Sequence, residues 1–185
     1  MKGLLVLVVG PSGSGKDTLL AGAAARLAAD PRFAFARRTV TRMAADEDHE
    51  TVDVPGFLVR LSAGQFALHW EAHGLHYGIP AAALEPLAQG GIVVANVSRS
   101  IIPEAAQRFR AVVVEITAPE SLRALRLADR GRETPGAITE RLSRQVTPPA
   151  GARVHPIVND GSIDQGISAL VTLMVELAEQ RESAL

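Results

Sequence analysis

Short, continuously apolar runs alternate along the chain with longer segments of mixed composition. Such runs predict strands that are buried on both faces, and they occur at residues 6–9, 92–95 and 112–116. Residues 35–40 and 154–158 are predicted as further strands. Helical composition is found between and after them, at residues 18–29, 81–88, 119–129, 136–146 and 163–181. The alternation predicts the α/β class, with a parallel sheet flanked by helices.

The order of the predicted elements also indicates where a ligand should bind. Ligands of parallel sheets occupy the edge at which the strands reach their carboxyl ends. Four residues directly follow predicted strands and are expected at that edge, namely Gly10, Asn96, Thr117 and Asn159. Residues 41–80 interrupt the alternation with mixed polar and aromatic content, so they stand apart from the regular pattern.

A glycine-rich segment follows the first predicted strand and reads Gly10, Pro11, Ser12, Gly13, Ser14, Gly15, Lys16, Asp17, Thr18. Glycines let backbone N–H groups surround an anion, and the start of the next helix adds its positive dipole. Lys16 supplies a mobile charge for the β and γ phosphates of a nucleotide. We therefore predict a phosphate-binding loop for ATP at residues 10–18, with Lys16 catalytic. The alternative, a glycine-rich turn without a ligand, is disfavoured by the combination of strand, spacing, lysine and helix.

The loop departs from the usual pattern at one position. That pattern places Ser or Thr directly after the lysine, as a ligand for Mg²⁺. Here the position holds Asp17, and the hydroxyl comes one residue later at Thr18. Both residues are candidates for contact with Mg²⁺ or its waters, and the sequence leaves the choice between them open.

Length, net charge and cysteine content exclude or disfavour several classes of protein. At 185 residues the chain suits one domain, and its net charge of −1 gives no bias toward nucleic acid or an anionic membrane. It contains no cysteine, so disulfides and thiolate metal sites are excluded, and a cytoplasmic location is expected. No apolar stretch is long enough to cross a bilayer. The oligomeric state, a homodimer included, stays open.

Beyond the loop, five short segments occur in an order typical of one branch of small-molecule kinases. They are Thr39-Val40-Thr41-Arg42, His73-Gly74-Leu75-His76-Tyr77-Gly78, Arg126 with Arg130-Gly131, Ile138 with Arg141, and Ile157-Val158-Asn159-Asp160. The chain resembles the guanylate kinase-like nucleoside monophosphate kinases from end to end. The resemblance implies a single P-loop domain over residues 1–185, with a core of 1–40, 81–125 and 142–185, an acceptor-binding flap at 41–80 and a lid at 126–141.

The same resemblance implies roles for individual residues. Arg42 and Tyr77 would grip the acceptor phosphate, because a guanidinium offers a planar fork and a phenol adds a neutral donor. Arg126 and Arg130 would be catalytic lid arginines over the transferring phosphate, with Arg141 joining them. From spacing alone, the arginines at 126 and 130 also fit one solvated, salt-bridged helix face.

Several positions depart from the guanylate kinase pattern in a consistent direction. Leu68 stands where these kinases carry a base-reading Glu, and Ile79-Pro80 replaces a hydroxyl pair. The strand that should end in Asp continues instead as Asn96-Val97-Ser98-Arg99. Such polar contacts carry roughly 10⁴-fold discrimination between substrates. We therefore expect the acceptor to be a molecule other than GMP.

Cationic and polar residues appear elsewhere in the same pattern. Arg38 occupies the place of a small hydroxyl residue, and His49 that of a phosphate-binding Tyr. Ser98 and Arg99 follow the central strand at 92–95. A pocket that has lost base readers and gained anion contacts suits a compact acceptor with more than one phosphate.

One family has this set of variants, the ribose 1,5-bisphosphate phosphokinases of phosphonate degradation. The shared segments are Gly10 to Asp17, Glu47-Asp48-His49, residues 66–80, residues 113–118 and Arg130 to Glu133. The resemblance implies a phosphotransferase with a phosphate group as acceptor, which uses ATP to convert ribose 1,5-bisphosphate into 5-phosphoribosyl 1-diphosphate (PRPP). It implies an acceptor site made of Arg38, Arg42, His49, Glu71, Tyr77, Ser98 and Arg99.

Some assignments stay open at this level. Glu71 would orient a ribose hydroxyl or a water of Mg²⁺, and His73 would either cap the turn before Gly74 or touch substrate. Trp70 and Phe66 are expected in the core of the flap, and Glu115 has no assigned role. Alternative functions are another small-molecule kinase, such as a guanylate kinase, or an inactive binding module. Inactive modules typically lose the loop lysine and lid arginines, which this chain retains.

Overall fold

The computed structural model describes residues 3–42, 49–129 and 153–182. Its strands are β1 (Leu4–Val9), β2 (Phe33–Ala36), β3 (Arg38–Val40), β4 (His49–Thr51), β5 (Phe66–Ala72), β6 (Leu75–Pro80), β7 (Ile92–Asn96), β8 (Ala111–Thr117) and β9 (Val154–Val158). The α-helices are α1 (Lys16–Arg26), α2 (Val54–Ser62), α3 (Ile102–Arg108), α4 (Glu120–Asp129) and α5 (Ile163–Glu182). Within these ranges no helix is long and apolar enough to cross a membrane. The helix predicted at 136–146 lies outside the described residues.

The larger sheet has five parallel strands in the order β2-β7-β1-β8-β9. Every residue of the central strand β1 is buried, which explains why its sequence is continuously apolar. The predicted α/β class and parallel sheet are confirmed. Val8 is in register with Asn96, and the backbone N–H of Asn159 donates to the Thr117 carbonyl at 2.7 Å. The carboxyl ends of β1, β7, β8 and β9 therefore meet at one edge, as the sequence predicts.

Alternate residues of β1 enter two separate apolar cores. The even-numbered residues pack against α1 and α5 through a cluster that includes Leu19, Leu170 and Met174. The odd-numbered residues pack against the second sheet through a cluster that includes Leu68 and Ile79. The second sheet is thus attached to the larger one by a shared apolar core.

This second sheet has four strands in the order β4-β3-β6-β5. β3 runs parallel to β4 and antiparallel to β6, and β5 with β6 forms a hairpin. The hairpin turn consists of His73 and Gly74, whose φ angles are 55° and 70°. Positive φ at both central residues is the geometry that two-residue hairpins favour. The segment that interrupts the regular pattern in the sequence therefore forms most of a separate, largely antiparallel sheet.

Two sequence predictions are wrong in detail. Residues 35–40 do not form one strand, because β2 pairs with β7 in the larger sheet whereas β3 pairs with β6 in the smaller one. This segment was predicted as extended backbone, but its sequence carried no information on which strand each half would pair with. The helix predicted at 81–88 is a 3₁₀-helix, Ala81–Leu87, with Pro86 inside it. Proline lacks the N–H that a continuous α-helix needs.

Helix α2 was not predicted, although its start carries a recognisable signal. The Asp53 side chain caps the helix by accepting a hydrogen bond from the Gly56 N–H at 3.0 Å. Phe57 of α2 is 1% exposed and stacks on Phe66 of β5 with ring centroids 4.5 Å apart. The helix therefore covers one face of the hairpin, where the half-buried Phe66 packs against it.

Glu50 connects three parts of this region. Its carboxylate accepts hydrogen bonds from Thr39 Oγ1 of β3 and Arg60 Nη1 of α2, both at 2.8 Å. The hydrogen bond from Arg60 is the main reason why the pKa of Glu50 lies below its ordinary value of 4.5, against the opposing effect of burial. Sequence reasoning missed this residue, because its partners lie on other elements.

We expect Glu50→Gln to flatten the dependence of stability on pH. Because folding lowers the pKa of Glu50, its contribution is present above pH 4.5 and is lost as the pH falls through the lower, folded-state pKa. The difference in unfolding free energy between wild type and variant, measured in urea from pH 7 to pH 3, should shrink toward acid. Arg60→Ala should reduce the same pH dependence, because it removes the largest of the contacts that lower the pKa of Glu50. A difference that is constant across this range would contradict the prediction.

Candidate active site

The glycine-rich segment connects β1 to α1 as a compact loop. Gly10, Gly13 and Gly15 have φ angles of 155°, 78° and 86°, which residues with a side chain rarely adopt. Lys16 Nζ lies over the loop and donates to the carbonyls of Gly10 and Pro11, at 2.8 and 3.2 Å. The predicted order of strand, loop, lysine and helix is therefore present, with α1 beginning at Lys16 rather than at residue 18.

Two residues from distant parts of the chain contact the loop backbone. Asn159, which follows β9, is 4% exposed and donates from Nδ2 to the Ser14 carbonyl at 2.8 Å. Arg126 of α4 donates to the carbonyls of Ser14 and Asn159, at 3.5 and 3.3 Å. In this structure Arg126 thus contacts the loop and the segment after β9. Its predicted role over the transferring phosphate stays a prediction.

A cleft of about 450 Å³ lies at the carboxyl edge of the larger sheet, bounded by the loop and the second sheet. Its lining consists of Gly10, Pro11, Ser12, Lys16, Arg38, Trp70, Glu71, Ala72, His73, Tyr77, Asn96, Val97, Ser98, Arg99 and Ser100. The structure therefore brings the lysine of the phosphate loop into the same cavity as several predicted acceptor residues.

Not all predicted acceptor residues reach this cleft. Arg38, Glu71, Tyr77, Ser98 and Arg99 line it, as the resemblance implies. The predicted ligands from positions 42 and 49 are outside the lining, and the histidine at 49 is only 4% exposed. The predicted catalytic arginines at 130 and 141 lie outside the described residues.

Arg38 is held against an aromatic stack. Its guanidinium carbon lies 5.9 Å from the centroid of the Tyr77 ring, within the range of a cation–π contact. Tyr77 stacks in turn on Trp70, with centroids 5.4 Å apart and an angle of 4° between the rings. Trp70, expected only as flap core, therefore also forms part of the cleft wall and supports the face that presents Arg38.

The first turn of α1 contains oxygen atoms of the type that Mg²⁺ prefers. Asp17 Oδ1, however, already accepts hydrogen bonds from Arg38 Nη2 at 3.2 Å and from Asn96 Nδ2 at 2.6 Å. Thr18 on the same turn is exposed. Neither Asp17 nor Thr18 is part of the cleft lining, so both stay predicted contacts of Mg²⁺.

Glu115, which had no role in the sequence analysis, pairs with Arg99. Its Oε1 accepts from Arg99 Nη2 at 2.8 Å and from Nε at 3.2 Å. The side chains are 13% and 18% exposed for Arg99 and Glu115 respectively, so most of the ion pair is removed from water. A carboxylate inside an apolar strand is thus explained by its partner, which presents a cation to the cleft.

Removing the Glu115 carboxylate should leave the largely buried guanidinium of Arg99 without its counter-ion. We expect Glu115→Ala to lower the unfolding free energy by about 3 kcal/mol, the usual cost of breaking a buried pair from one side. Urea unfolding at neutral pH measures this. Glu104→Ala is the matched control, because it removes an exposed ion pair with Arg108 and should cost less than about 0.5 kcal/mol. Equal losses in the two variants would show that the pair at Arg99 is no more important than a surface pair.

The hairpin turn contributes a strained residue to the cleft. His73 holds a positive φ without being glycine and lines the cavity, so it is both a turn residue and a neighbour of the ligand space. On the same hairpin, Glu71 Oε1 lies 3.1 Å from His76 Nδ1, and the Glu71 side chain is 75% exposed. This leaves the Glu71 carboxylate accessible from the cleft.

The fold is similar to those of two solved kinase structures. A guanylate kinase from Anaplasma phagocytophilum superposes with a TM-score of 0.63 at 18% identity, covering 94% of this chain and 85% of that one. A sugar kinase from Janibacter sp. gives a TM-score of 0.51 at 16% identity, covering 92% and 93%. At these identities the likeness concerns the fold alone. The chain has the fold of the P-loop kinases.

Sequence comparison identifies the family, although no family model matches. The chain is 48% identical over 173 residues to a ribose 1,5-bisphosphate phosphokinase PhnN of Methylobacterium radiotolerans, covering 92% of this chain and 97% of that protein. It is 42% identical over 182 residues to the PhnN of Brucella melitensis, covering 96% and 94%. The chain therefore belongs to the PhnN family of ribose 1,5-bisphosphate phosphokinases, and the predicted family is confirmed.

Proposed function

We propose that this protein transfers the γ-phosphoryl group of ATP to the 1-phosphate of ribose 1,5-bisphosphate, giving PRPP and ADP. This is the activity that the names of its PhnN relatives imply. The observation that carries the proposal is the shared cleft, in which Lys16 of the donor loop lies with Arg38 and Arg99. Two fixed guanidinium groups opposite a phosphate loop suit an acceptor that carries two phosphates.

The core beneath the second sheet also supports the exclusion of a nucleobase. Leu68, at a base-reading position of guanylate kinases, is 1% exposed and belongs to an apolar core. Ile79, in place of a hydroxyl, is fully buried in the same core. Hydrogen-bond partners for guanine are therefore replaced at these two positions by side chains that hold the flap against the larger sheet.

Chemistry in this site needs positioning and charge neutralisation more than proton transfer. An oxygen of the acceptor phosphate attacks the γ-phosphorus, a new P–O bond forms, and the bond to the oxygen between β and γ phosphorus breaks to release ADP. Lys16 and the loop N–H groups hold the donor, while Arg38, Tyr77 and Arg99 hold the acceptor. Mg²⁺ arriving with ATP would supply further neutralisation of the phosphates, with Asp17 and Thr18 as the candidate residues for its contact with the protein.

The remaining predicted residues complete the proposal. Arg42 and His49 are assigned to the acceptor by the resemblance alone, since neither lines the cleft in this structure. Glu71 would accept a hydrogen bond from a ribose hydroxyl. Arg126, Arg130 and Arg141 would neutralise the transferring group, a contribution that reaches about 10³-fold for an arginine in related chemistry. Each assignment can be tested on its own, because a single substitution that removes the guanidinium, carboxylate or imidazole in question should lower turnover.

An acceptor panel tests the proposal directly. Purified protein with Mg²⁺ and ATP is supplied with ribose 1,5-bisphosphate, GMP, AMP or gluconate, while ADP release is followed and products are identified by mass spectrometry. We expect ADP release together with PRPP from the bisphosphate alone. Efficient turnover of GMP without turnover of the bisphosphate would establish a guanylate kinase instead. No turnover of any acceptor would favour the inactive binding module.

A further inference from the structure

We propose that Asp17 is a positioning residue of the acceptor site, which orients Arg38 and Asn96 in the cleft and connects them to the donor loop. The inference rests on the proposed function for the identity of the acceptor. It departs from the role that the loop pattern gives to this position, which is contact with Mg²⁺. Its basis is a convergence of three elements on one carboxylate oxygen.

The convergence involves residues that are far apart in the chain. Asp17 lies in the first turn of α1, directly after Lys16. Its Oδ1 accepts from Arg38 of β3 at 3.2 Å and from Asn96 at the end of β7 at 2.6 Å. Both donors line the cleft together with Lys16, whereas Asp17 itself is not part of the lining. Any effect of Asp17 on the acceptor therefore acts through the residues that it holds.

The contact restricts Arg38 from two sides. Its side chain is 16% exposed, with the Asp17 carboxylate on its Nη2 and the Tyr77 ring 5.9 Å from its guanidinium carbon. A charge-assisted hydrogen bond removes rotamer freedom that an unrestrained arginine would lose on binding phosphate. The carboxylate thus lowers the entropy cost of capturing an anionic acceptor.

The charges at the three positions depend on one another. Arg38 adds a cation to the cleft, and Asp17 supplies its counter-ion. A carboxylate at position 96 would lie against the Asp17 oxygen, which now accepts from the Asn96 amide at 2.6 Å, and the two anions would repel. Position 17 departs from the usual phosphate-loop pattern and positions 38 and 96 depart from the guanylate kinase pattern, and the hydrogen bonds of Asp17 connect these three departures.

Kinetics can separate this role from a role in metal binding. Asp17→Ala and Asp17→Asn are assayed with ribose 1,5-bisphosphate varied at saturating Mg²⁺ and ATP, and then with the donor varied. We expect the alanine variant to raise the acceptor KM about tenfold or more and to leave the donor KM within about twofold. The asparagine variant keeps an oxygen acceptor and should lie between it and wild type.

The direction of the change is itself informative. Removing a negative charge beside an anion site would, by electrostatics alone, lower the acceptor KM. A higher KM therefore points to lost orientation of Arg38. Because Asp17 has no Arg38 to orient in the Arg38→Ala background, adding Asp17→Ala there should raise the acceptor KM less than it does in wild type. A lower or unchanged acceptor KM in Asp17→Ala, or a raised donor KM with altered Mg²⁺ dependence, would overturn the proposal.

A substrate-free measurement keeps this inference independent of the proposed function. Trp70 is the only tryptophan in the sequence and stacks on Tyr77, against which Arg38 lies. We expect Asp17→Ala to shift the emission or acrylamide quenching of Trp70 in the folded, ligand-free protein. Asp164→Ala, which removes the carboxylate paired with Arg26 at the other end of α1, is the matched control and should leave both unchanged.

The two proposals can then fail separately. Absence of PRPP from wild-type protein refutes the proposed function, whereas the Trp70 measurement still decides whether Asp17 orients Arg38. An unchanged Trp70 signal in Asp17→Ala would overturn the inference even if wild type makes PRPP. If the alanine variant does not fold, the asparagine variant is read by the same criteria.

Discussion

Replacing Lys16 with alanine is expected to lower kcat about 10³-fold, because the variant loses the cation that offsets charge developing on the transferred phosphoryl group. The effect on folding should be small. Lys16 Nζ makes two hydrogen bonds to loop carbonyls beside an open cleft, and water can replace them. A loss of about 1 kcal/mol corresponds to a fall in Tm of about 4 °C or less at this chain length.

Two control variants show whether the loss of turnover is specific to the ammonium group of Lys16. Lys16→Arg keeps the charge but replaces a compact ammonium with a planar fork, so we expect an intermediate kcat. Arg26→Ala lies in the last turn of the same helix and should retain full turnover. A Lys16→Ala protein that is fully active, with ADP release at the wild-type rate, would contradict the assignment of residues 10–18 as the donor loop.

Replacing Gly10 with alanine is expected to have the largest effect on stability among the loop substitutions. An added Cβ would lie 2.0 Å from the Ile116 carbonyl oxygen of β8, and the φ angle of 155° is itself unfavourable for alanine. The clash and the backbone strain together should cost about 3 kcal/mol or more. Differential scanning fluorimetry should show a Tm lower by about 6 to 12 °C.

Gly64 provides the matched control for this substitution. It also has a positive φ, of 68°, but an added Cβ would meet nothing within 4 Å. Gly64→Ala should therefore lower the free energy of unfolding by only about 1 kcal/mol, because the alanine adopts an unfavourable backbone conformation but meets no steric clash. If both alanine variants lose the same amount of stability, close approach of β8 to Gly10 does not limit this position.

The sequence was most informative where the relevant residues are neighbours in the chain. The donor loop is contiguous, so its glycines, its lysine and the start of the next helix appear side by side in the sequence. The most apolar runs, at residues 6–9, 92–95 and 112–116, identified the three central strands of the larger sheet, because a strand covered on both faces has few polar side chains. The resemblance then placed Arg38, Tyr77 and Arg99 at the acceptor site, and all three line the cleft.

Sequence reasoning was weakest where an apolar or charged residue had more than one compatible partner. Residues 35–40 are extended in either sheet, so only the competition between β7 and β6 for pairing divides them. Glu115 lies in β8, and nothing near it in the chain indicates that Arg99, 16 residues away, neutralises it. In the same way, Asp17 is separated by 79 residues from Asn96, whose amide it binds.

The amino-acid sequence by itself determined the class of fold, the position of the phosphate loop and the family of kinases to which this protein belongs. These features follow from local backbone preferences, from the burial pattern of each strand, and from short motifs in a characteristic order. Only the tertiary structure decided which side chains share the cleft and which carboxylates hold Arg38 and Arg99. The physical reason is that hydrogen bonds and ion pairs depend on separations of about 3 Å in space, whereas the chain specifies only separation in residues.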